Sequence, residues 1–259
     1  MKNLLPAYVR KRLDPAERYG LRLTLFVLAV SLVAVPFSWL LVQVASSRGI
    51  VRYDTALAKR MFEYKLDHPW IASVMNAISL LGAPLWFWVL IGVIALYLLK
   101  KNQKRLAAYL LSCTLGGSIV NTIVKVTVDR PRPTFRDPSA ITFQRGKSFP
   151  SGHTMSSTIA YGALLLIFLP IVPKKYRTPV RIAAATLVIL IGLSRLALGV
   201  HYLSDVIGGF VLGLAWLFAA TAAFEIWRSE RGRPLTEPLS EGLEPEAKES
   251  LTPGTESGS

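Results

Sequence analysis

Long apolar runs recur along the chain and constrain its fold more than any other feature of the sequence. A helix needs about 20 consecutive apolar residues to cross a bilayer. Runs near or above this length lie at 23–45, 83–99, 106–124, 154–172, 182–199 and 206–226. Hydrophobic residues make up 52% of the chain, and the mean hydropathy of +0.41 is unlike that of a soluble domain. The sequence therefore predicts an all-α membrane protein, a bundle of six transmembrane helices.

Lysines and arginines between the apolar runs predict how the spans are oriented. Short cytoplasmic loops of membrane proteins carry an excess of these residues. Basic clusters precede the first span, follow the sixth, and fill the turns at 100–105 and 174–181. With six crossings, all of these clusters lie on one side of the membrane. We therefore expect both termini and the two turns to be cytoplasmic, and the segment at 127–152 to face outward.

The apolar stretch at 68–82 lies between the first and second spans and is short for a crossing. If it crossed the membrane separately, the basic clusters would be divided between the two sides. We therefore expect an interfacial helix at the outer surface, with Trp70 as its anchor. The first span could instead be a cleavable signal, but its length and its acidic leader residues argue against that.

Composition divides the chain into three parts. Residues 1–20 form a charged cytoplasmic segment, residues 21–228 carry the six spans, and residues 229–259 are rich in Pro, Glu, Gly and Ser. We expect the last part to be a disordered cytoplasmic tail. The single cysteine, Cys113, excludes an internal disulfide and supplies no metal site. The net charge of +14 follows mostly from topology, so a nucleic-acid partner is not expected.

The first of three polar stretches that topology does not explain is KVTVDRPRP at 125–133. Lys125 ends the third span, and Arg130 and Arg132 follow, each before a proline. Lys125 alone could be a lysine whose ammonium reaches the interface along the helix end. Three cations on the expected outer side, however, oppose the usual charge bias and indicate a use.

The second polar stretch is PSGH at 150–153, where the fourth span begins. Proline and serine are common at the start of a helix, so Ser151 could simply be its N-cap. A helix N-terminus also offers free N–H groups and a positive dipole end, which together bind anions. Gly152 would allow an oxyanion to approach the backbone closely.

The third polar stretch is SRLALGVHYLSD at 194–205. Arg195 lies near the end of the fifth span, and His201 and Asp205 lie where the sixth begins. A histidine and an aspartate four residues apart share a helical face and could be only a surface pair. A carboxylate that accepts from one imidazole nitrogen also leaves the other nitrogen free as a base or nucleophile.

Six crossings bring the three stretches to the same membrane face, where their side chains can converge. Cations, N–H groups and two histidines without a carboxylate cluster are suited to binding and cleaving a tetrahedral dianion, and they predict phosphoryl transfer without a metal or cofactor. The converging residues are Lys125, Arg132, Ser151, His153, Arg195, His201 and Asp205.

These stretches resemble the motifs of the type 2 phosphatidate phosphatase superfamily, also called lipid phosphate phosphatases. The family's first motif is Lys, six residues, then Arg-Pro, and Lys125 with Arg132 matches it. The second motif, Pro-Ser-Gly-His, is at 150–153. The third, Ser-Arg, five residues, His, three residues and Asp, is at 194–205. The family spacing selects Arg132 rather than Arg130 as the motif arginine.

The resemblance implies a mechanism through a phosphohistidine. His201 would attack phosphorus, Asp205 would orient its ring, and His153 would protonate the leaving oxygen and later activate water. The remaining motif residues would bind the phosphoryl oxygens: Lys125, Arg132, Ser151, Gly152 and Arg195.

A site at the outer membrane surface also predicts the substrate, because lipid head groups lie at that depth. The resemblance implies a bacterial plasma-membrane enzyme that hydrolyses phosphatidate, phosphatidylglycerol phosphate or undecaprenyl diphosphate, with the last slightly favoured. A lipid-linked phosphotransferase would share every motif. A transporter would place its charges at mid-membrane instead, and the pair Gly209 and Gly213 is better explained by helix packing.

Overall fold

The structure is a computed structural model that describes residues 31, 35, 37–44, 46, 49–133 and 146–252. Residues 37–44 are helical, but most of the predicted first span at 23–45 lies outside the described residues. The helices that follow are α1 (Ile50–Asp67), α2 (Pro69–Leu80), α3 (Pro84–Lys100), α4 (Lys104–Val128), α5 (Gly152–Phe168), α6 (Lys174–Ala197), α7 (Leu203–Glu230), α8 (Pro238–Glu241) and α9 (Lys248–Leu251). The described part contains no strand, so the all-α prediction is confirmed.

Five helical stretches of the described part are long and apolar enough to cross a membrane. They contain α3, α4, α5, α6 and α7, which correspond to the second to sixth predicted spans. The total of six spans stays a prediction, since the first one falls largely outside the described residues.

Helix α2 covers the stretch expected to lie at the interface. It is a separate helix, because the turn at 81–83 and Pro84 at the first position of α3 interrupt the helical hydrogen bonds. It packs against α6, and together α2 and α3 form one apolar stretch of 32 residues, Pro69–Lys100. Its interfacial placement therefore stays a prediction.

Helix α1 was not anticipated from the sequence. Its buried side chains recur every three or four residues, so they share one face. They are Asp54, Ala58, Phe62 and Lys65. This face packs against α6 and α7, near the end of α6 and the beginning of α7.

The membrane helices alternate in direction. The helix ends that carry the candidate site residues therefore lie on the same side of the bundle. Helix α4 and helix α6 end where α5 and α7 begin, and we call this side of the bundle the polar end. Helix α5 is the most buried span and contacts α4, α6 and α7. Gly209 and Gly213 permit the close approach of α7, since a Cβ at Gly209 would lie 2.8 Å from the Ser151 carbonyl oxygen.

The C-terminal segment at 231–252 differs from the expected disordered tail. Leu243 and Leu251 are fully buried and join the core formed by α3, α4, α5 and α7. The Leu243 amide donates to Leu166 at 3.2 Å, and the buried Arg228 guanidinium donates to the Leu243 carbonyl. The segment is ordered because its leucines and its backbone acceptors complete the end of the bundle opposite the polar end. Residues 253–259 lie outside the described residues.

Candidate active site

His201 and Asp205 form the centre of the polar end. His201 lies in the turn between α6 and α7, and Asp205, four residues later, lies in the first turn of α7. Nδ1 of His201 lies 3.2 Å from Oδ2 of Asp205, and both side chains are completely or almost completely buried. A carboxylate accepts this bond only from a protonated Nδ1. The neutral ring therefore carries its lone pair on Nε2.

Arg132 contacts the free side of the His201 ring. Its Nη1 lies 3.1 Å from Nε2 of His201 and donates to the Val200 carbonyl at 2.8 Å. Its Nε donates to the Gly146 carbonyl at 3.2 Å. Arg132, the arginine that the family spacing selects, therefore lies directly beside Nε2 of His201.

Burial lowers the pKa of His201 to about 4. Asp205 opposes this shift, whereas the charges of Arg132 and Arg195 reinforce it. Because this pKa lies well below neutrality, the ring is uncharged at physiological pH. An uncharged imidazole with an unprotonated Nε2 is the form that can act as a nucleophile.

Ser151 and Gly152 connect the second motif to the third. Ser151 is the N-cap of α5, and its hydroxyl accepts from the Thr154 amide at 3.4 Å. Its own amide donates to the Asp205 carbonyl at 2.9 Å, which fixes the start of α5 against the start of α7. Gly152 is the first residue of α5 and lies beside Lys125, whose Cε would be 3.8 Å from a Cβ added at Gly152.

Lys125 reaches the same helix start from the last turn of α4. Its Nζ donates to the carbonyls of Pro150 at 2.7 Å and Lys147 at 3.2 Å. These neutral acceptors leave its charge uncompensated by any carboxylate contact within the described residues. The ammonium is therefore placed to attract an anion at the N-terminus of α5.

Arg195 is a fully buried cation with incomplete hydrogen bonding. Its Nη1 donates to Ser79 of α2, but its Nε and Nη2 have no hydrogen-bond partner among the described residues. Its electrostatic neighbours include Arg132, His153 and His201, none of which compensates its charge. Buried donors without partners are rare, so these two indicate a place for an acceptor.

A cavity of about 300 Å³ opens beside these groups, between the start of α3, the end of α4 and the start of α5. Its cationic and polar lining includes Lys125, Arg132, Gly152 and His153. Phe87 and Trp88 of α3 supply an apolar side. Since a phosphate is polar and a lipid is apolar, the two kinds of lining suit a lipid phosphate.

The structure therefore brings together all the predicted site residues, and it adds three that the sequence analysis did not assign. Ser148 donates to Oδ2 of Asp205, and Arg130 donates to its Oδ1 at 2.8 Å. Asp54 of α1 pairs with Arg130 at 2.8 Å. The repeated Arg-Pro pair in the first stretch was the only sequence signal for Arg130.

Comparisons with known proteins identify the family. A family model described as PAP2 superfamily matches residues 106–228. The chain is 30% identical over 186 residues to phosphatidylglycerophosphatase B of Bacillus subtilis (strain 168). This alignment covers 70% of this chain and 88% of that protein. The chain is also 32% identical over 124 residues to lipid A 1-phosphatase of Rhizobium johnstonii, over 45% of this chain and 47% of that protein.

A solved structure has the same fold. The crystal structure of a transmembrane PAP2 type phosphatidylglycerolphosphate phosphatase from Bacillus subtilis aligns with a TM-score of 0.67 and 26% sequence identity. The alignment covers 78% of this chain and 98% of that one.

Proposed function

We propose that this chain, which belongs to the PAP2 superfamily and is a membrane lipid phosphate hydrolase, works through a phosphohistidine on His201 without a metal ion. The observation that carries the proposal is the surroundings of His201. Asp205 holds Nδ1, and Arg132 both contacts Nε2 at 3.1 Å and lines the cavity. A phosphoryl group bound by Arg132 would thus be delivered to the lone pair of Nε2.

In the proposed first step, Nε2 of His201 attacks phosphorus as the bond from phosphorus to the lipid oxygen breaks. Arg132 moves from Nε2 onto a phosphoryl oxygen, which uncovers the lone pair. His153 gives its proton to the leaving oxygen, so a monoester leaves as an alcohol and a diphosphate leaves as a monophosphate. Asp205 stabilises the positive ring that forms.

In the second step, His153 accepts a proton from water as the water oxygen attacks phosphorus. The bond from phosphorus to Nε2 breaks, and inorganic phosphate leaves. One water is consumed, and both histidines return to their starting protonation states. The charge on the transferring group is offset by donors from the three polar stretches: Lys125, Arg132, Arg195, the Ser151 hydroxyl and the Gly152 amide.

Phosphatidylglycerol phosphate is the substrate we propose first. One relative, aligned over 88% of its length, is named phosphatidylglycerophosphatase B. The cavity combines cations with the apolar side chains of Phe87 and Trp88. Phosphatidate and undecaprenyl diphosphate present the same terminal phosphate on a lipid and belong in the same test. The basic turns at 100–105 and 174–181 favour a plasma-membrane site that faces away from the cytoplasm.

The test is phosphate release from these three lipids by the purified protein in detergent, with EDTA present. His201→Gln is the control, since it removes the nucleophile and retains a polar side chain. We expect release by the wild type, undiminished by EDTA, and none by the variant. Absence of release from all three lipids would refute the substrate class, and loss of release with EDTA would refute the metal-free mechanism.

A further inference from the structure

A buried network of charges lies behind the His201–Asp205 pair. Nη1 of Arg130 donates to Oδ1 of Asp205 at 2.8 Å and lies 2.6 Å from the Ser204 hydroxyl. Nη2 of the same guanidinium donates to Oδ2 of Asp54 at 2.8 Å. Arg130 is 7% exposed, Asp54 3% and Asp205 0%, so water screens these ion pairs very little.

Asp54 also binds the start of α7 directly. The Ser204 amide donates to its Oδ1 at 3.0 Å, and the Ser204 hydroxyl donates to its Oδ2. The Arg130 guanidinium additionally lies over the Tyr202 ring, 4.1 Å from its centroid. Helix α1 is thereby joined to the turn of chain that carries His201.

This network leaves Asp205 little freedom. Arg130 holds Oδ1, while Oδ2 accepts from the Ser148 hydroxyl and from the Tyr202 amide at 2.9 Å. The same Oδ2 faces Nδ1 of His201. With both oxygens fixed, the carboxylate plane is fixed, and so is the direction in which Nε2 of the ring points.

We infer that Asp54 and Arg130 are positioning residues that hold the Asp205 carboxylate, and through it the His201 ring, in the orientation for attack. The inference deepens the proposed function and rests on it for the role of His201. It also places a requirement for the reaction on α1, which lies outside the family-matched region at 106–228. Neither residue lines the cavity. Arg130 therefore acts through its contact with Asp205, and Asp54 acts through Arg130.

The charges of Arg130 and Asp54 allow a positioning role to be distinguished from general destabilisation of the fold. Apart from Asp205, the charged or titratable groups around His201 are Arg132, Arg195 and His153. Arg130→Gln removes the cation on Oδ1, leaves the Asp205 charge less compensated, and favours a protonated His201. Asp54→Asn removes an anion instead, which has the opposite electrostatic sign.

The experiment measures the pKa of His201 by NMR in protein labelled at histidine, in detergent micelles. The chain has three histidines, so the His201 signal is assigned by its loss in His201→Gln. The variants are Arg130→Gln, Arg130→Lys and Asp54→Asn. The matched control is Glu63→Gln, on an exposed face of the same helix, where the described structure pairs Glu63 with the exposed Lys59. Activity on phosphatidylglycerol phosphate is then followed as kcat and KM against pH.

We expect Arg130→Gln to raise the pKa of His201 by about one unit or more, and the acid limb of kcat/KM to move the same way. Asp54→Asn should not raise it. Arg130→Lys should keep the pKa near the wild-type value, since it retains the charge. Both Arg130→Lys and Asp54→Asn should lower kcat by about 10- to 100-fold with little change in KM. Glu63→Gln should match the wild type in every measurement.

A His201 pKa that is unchanged in Arg130→Gln, or raised equally in Asp54→Asn, would overturn the inference. Unchanged kcat in both Arg130→Lys and Asp54→Asn would overturn it as well. If Arg130→Gln does not fold, the Arg130→Lys and Asp54→Asn measurements decide the matter. Failure of the proposed function has a different signature, because the wild type would then release no phosphate while the NMR shifts persisted.

Discussion

Arg195→Met is expected to make the substrate-free protein more stable and to abolish its activity. Arg195 is fully buried, and two of its three guanidinium nitrogens have no hydrogen-bond partner among the described residues. Each buried donor without a partner costs about 1–3 kcal/mol. The two together therefore destabilise the empty site by about 2–6 kcal/mol.

Methionine is close to arginine in length and brings no polar group into the site. The substitution also removes the bond from Arg195 to Ser79, which contributes about 1 kcal/mol, and leaves a small void worth roughly another 1 kcal/mol. A net gain of about 0–4 kcal/mol in the free energy of unfolding remains, and replacing buried ionic groups by apolar ones gains about 1–4 kcal/mol in other proteins. At about 2–4 °C per kcal/mol, the melting temperature rises by several degrees.

The assay is thermal unfolding in detergent, with and without orthovanadate as a mimic of the transferring phosphoryl group. A ligand at 100 times its Kd stabilises a protein by about 2.7 kcal/mol. The wild type should gain this increment, whereas Arg195→Met should melt higher without vanadate and gain nothing with it. Arg195→Lys, which retains the charge, is the control and should not be stabilised. An Arg195→Met protein that melts below the wild type, or that is stabilised by vanadate to the same extent, would refute the reasoning.

Three further predictions concern the general acid, the topology and the C-terminal segment. His153→Ala should lose about 10²- to 10⁴-fold in kcat on a lipid monophosphate and much less on an aryl phosphate with a good leaving group, because only a poor leaving group needs a proton; rapid-quench kinetics with both substrates checks this, and equal losses would contradict it. In intact cells, an impermeant thiol reagent should label Glu63→Cys and not Lys175→Cys, because the basic turn is expected to be cytoplasmic; the reverse pattern would contradict the topology. Leu243→Ala should lower the free energy of unfolding by about 2–5 kcal/mol with kcat unchanged, since its side chain is fully buried away from the site; an unchanged melting curve would show that the segment contributes nothing.

The membrane helices could be predicted from the sequence because a span is defined by its own hydropathy. The expected run at 83–99 became Pro84–Lys100, and the run at 206–226 became Leu203–Glu230. Helix α1 could not be predicted in this way, because charged residues recur along its length and leave no apolar run. Only the buried positions distinguish the packed face of α1 from its other faces. Burial depends on the partner against which the helix packs, so the sequence alone does not reveal it.

The candidate site could be predicted to the extent that its residues recur at family spacings. Those spacings selected Arg132 rather than Arg130 as the motif arginine, and in the structure Arg132 lies 3.1 Å from Nε2 of His201. They gave no role to Arg130, whose partner Asp54 is 76 positions away in the sequence. A pairing between charges so distant in sequence follows from the packing of α1 onto α7, which no local pattern contains.

The C-terminal segment shows why average composition fails for a short, ordered piece of chain. Its mean composition is polar, yet its buried apolar residues recur every four positions: Leu243, Ala247 and Leu251. Arg228, at the end of α7, is fully buried and needs acceptors, and the segment supplies the Leu243 carbonyl and Glu246 at 2.9 Å. Without these acceptors the buried guanidinium would be uncompensated, at a cost of about 3–5 kcal/mol. The same arginine thus has two roles, since its charge predicts the cytoplasmic side and its hydrogen bonds order the segment that follows.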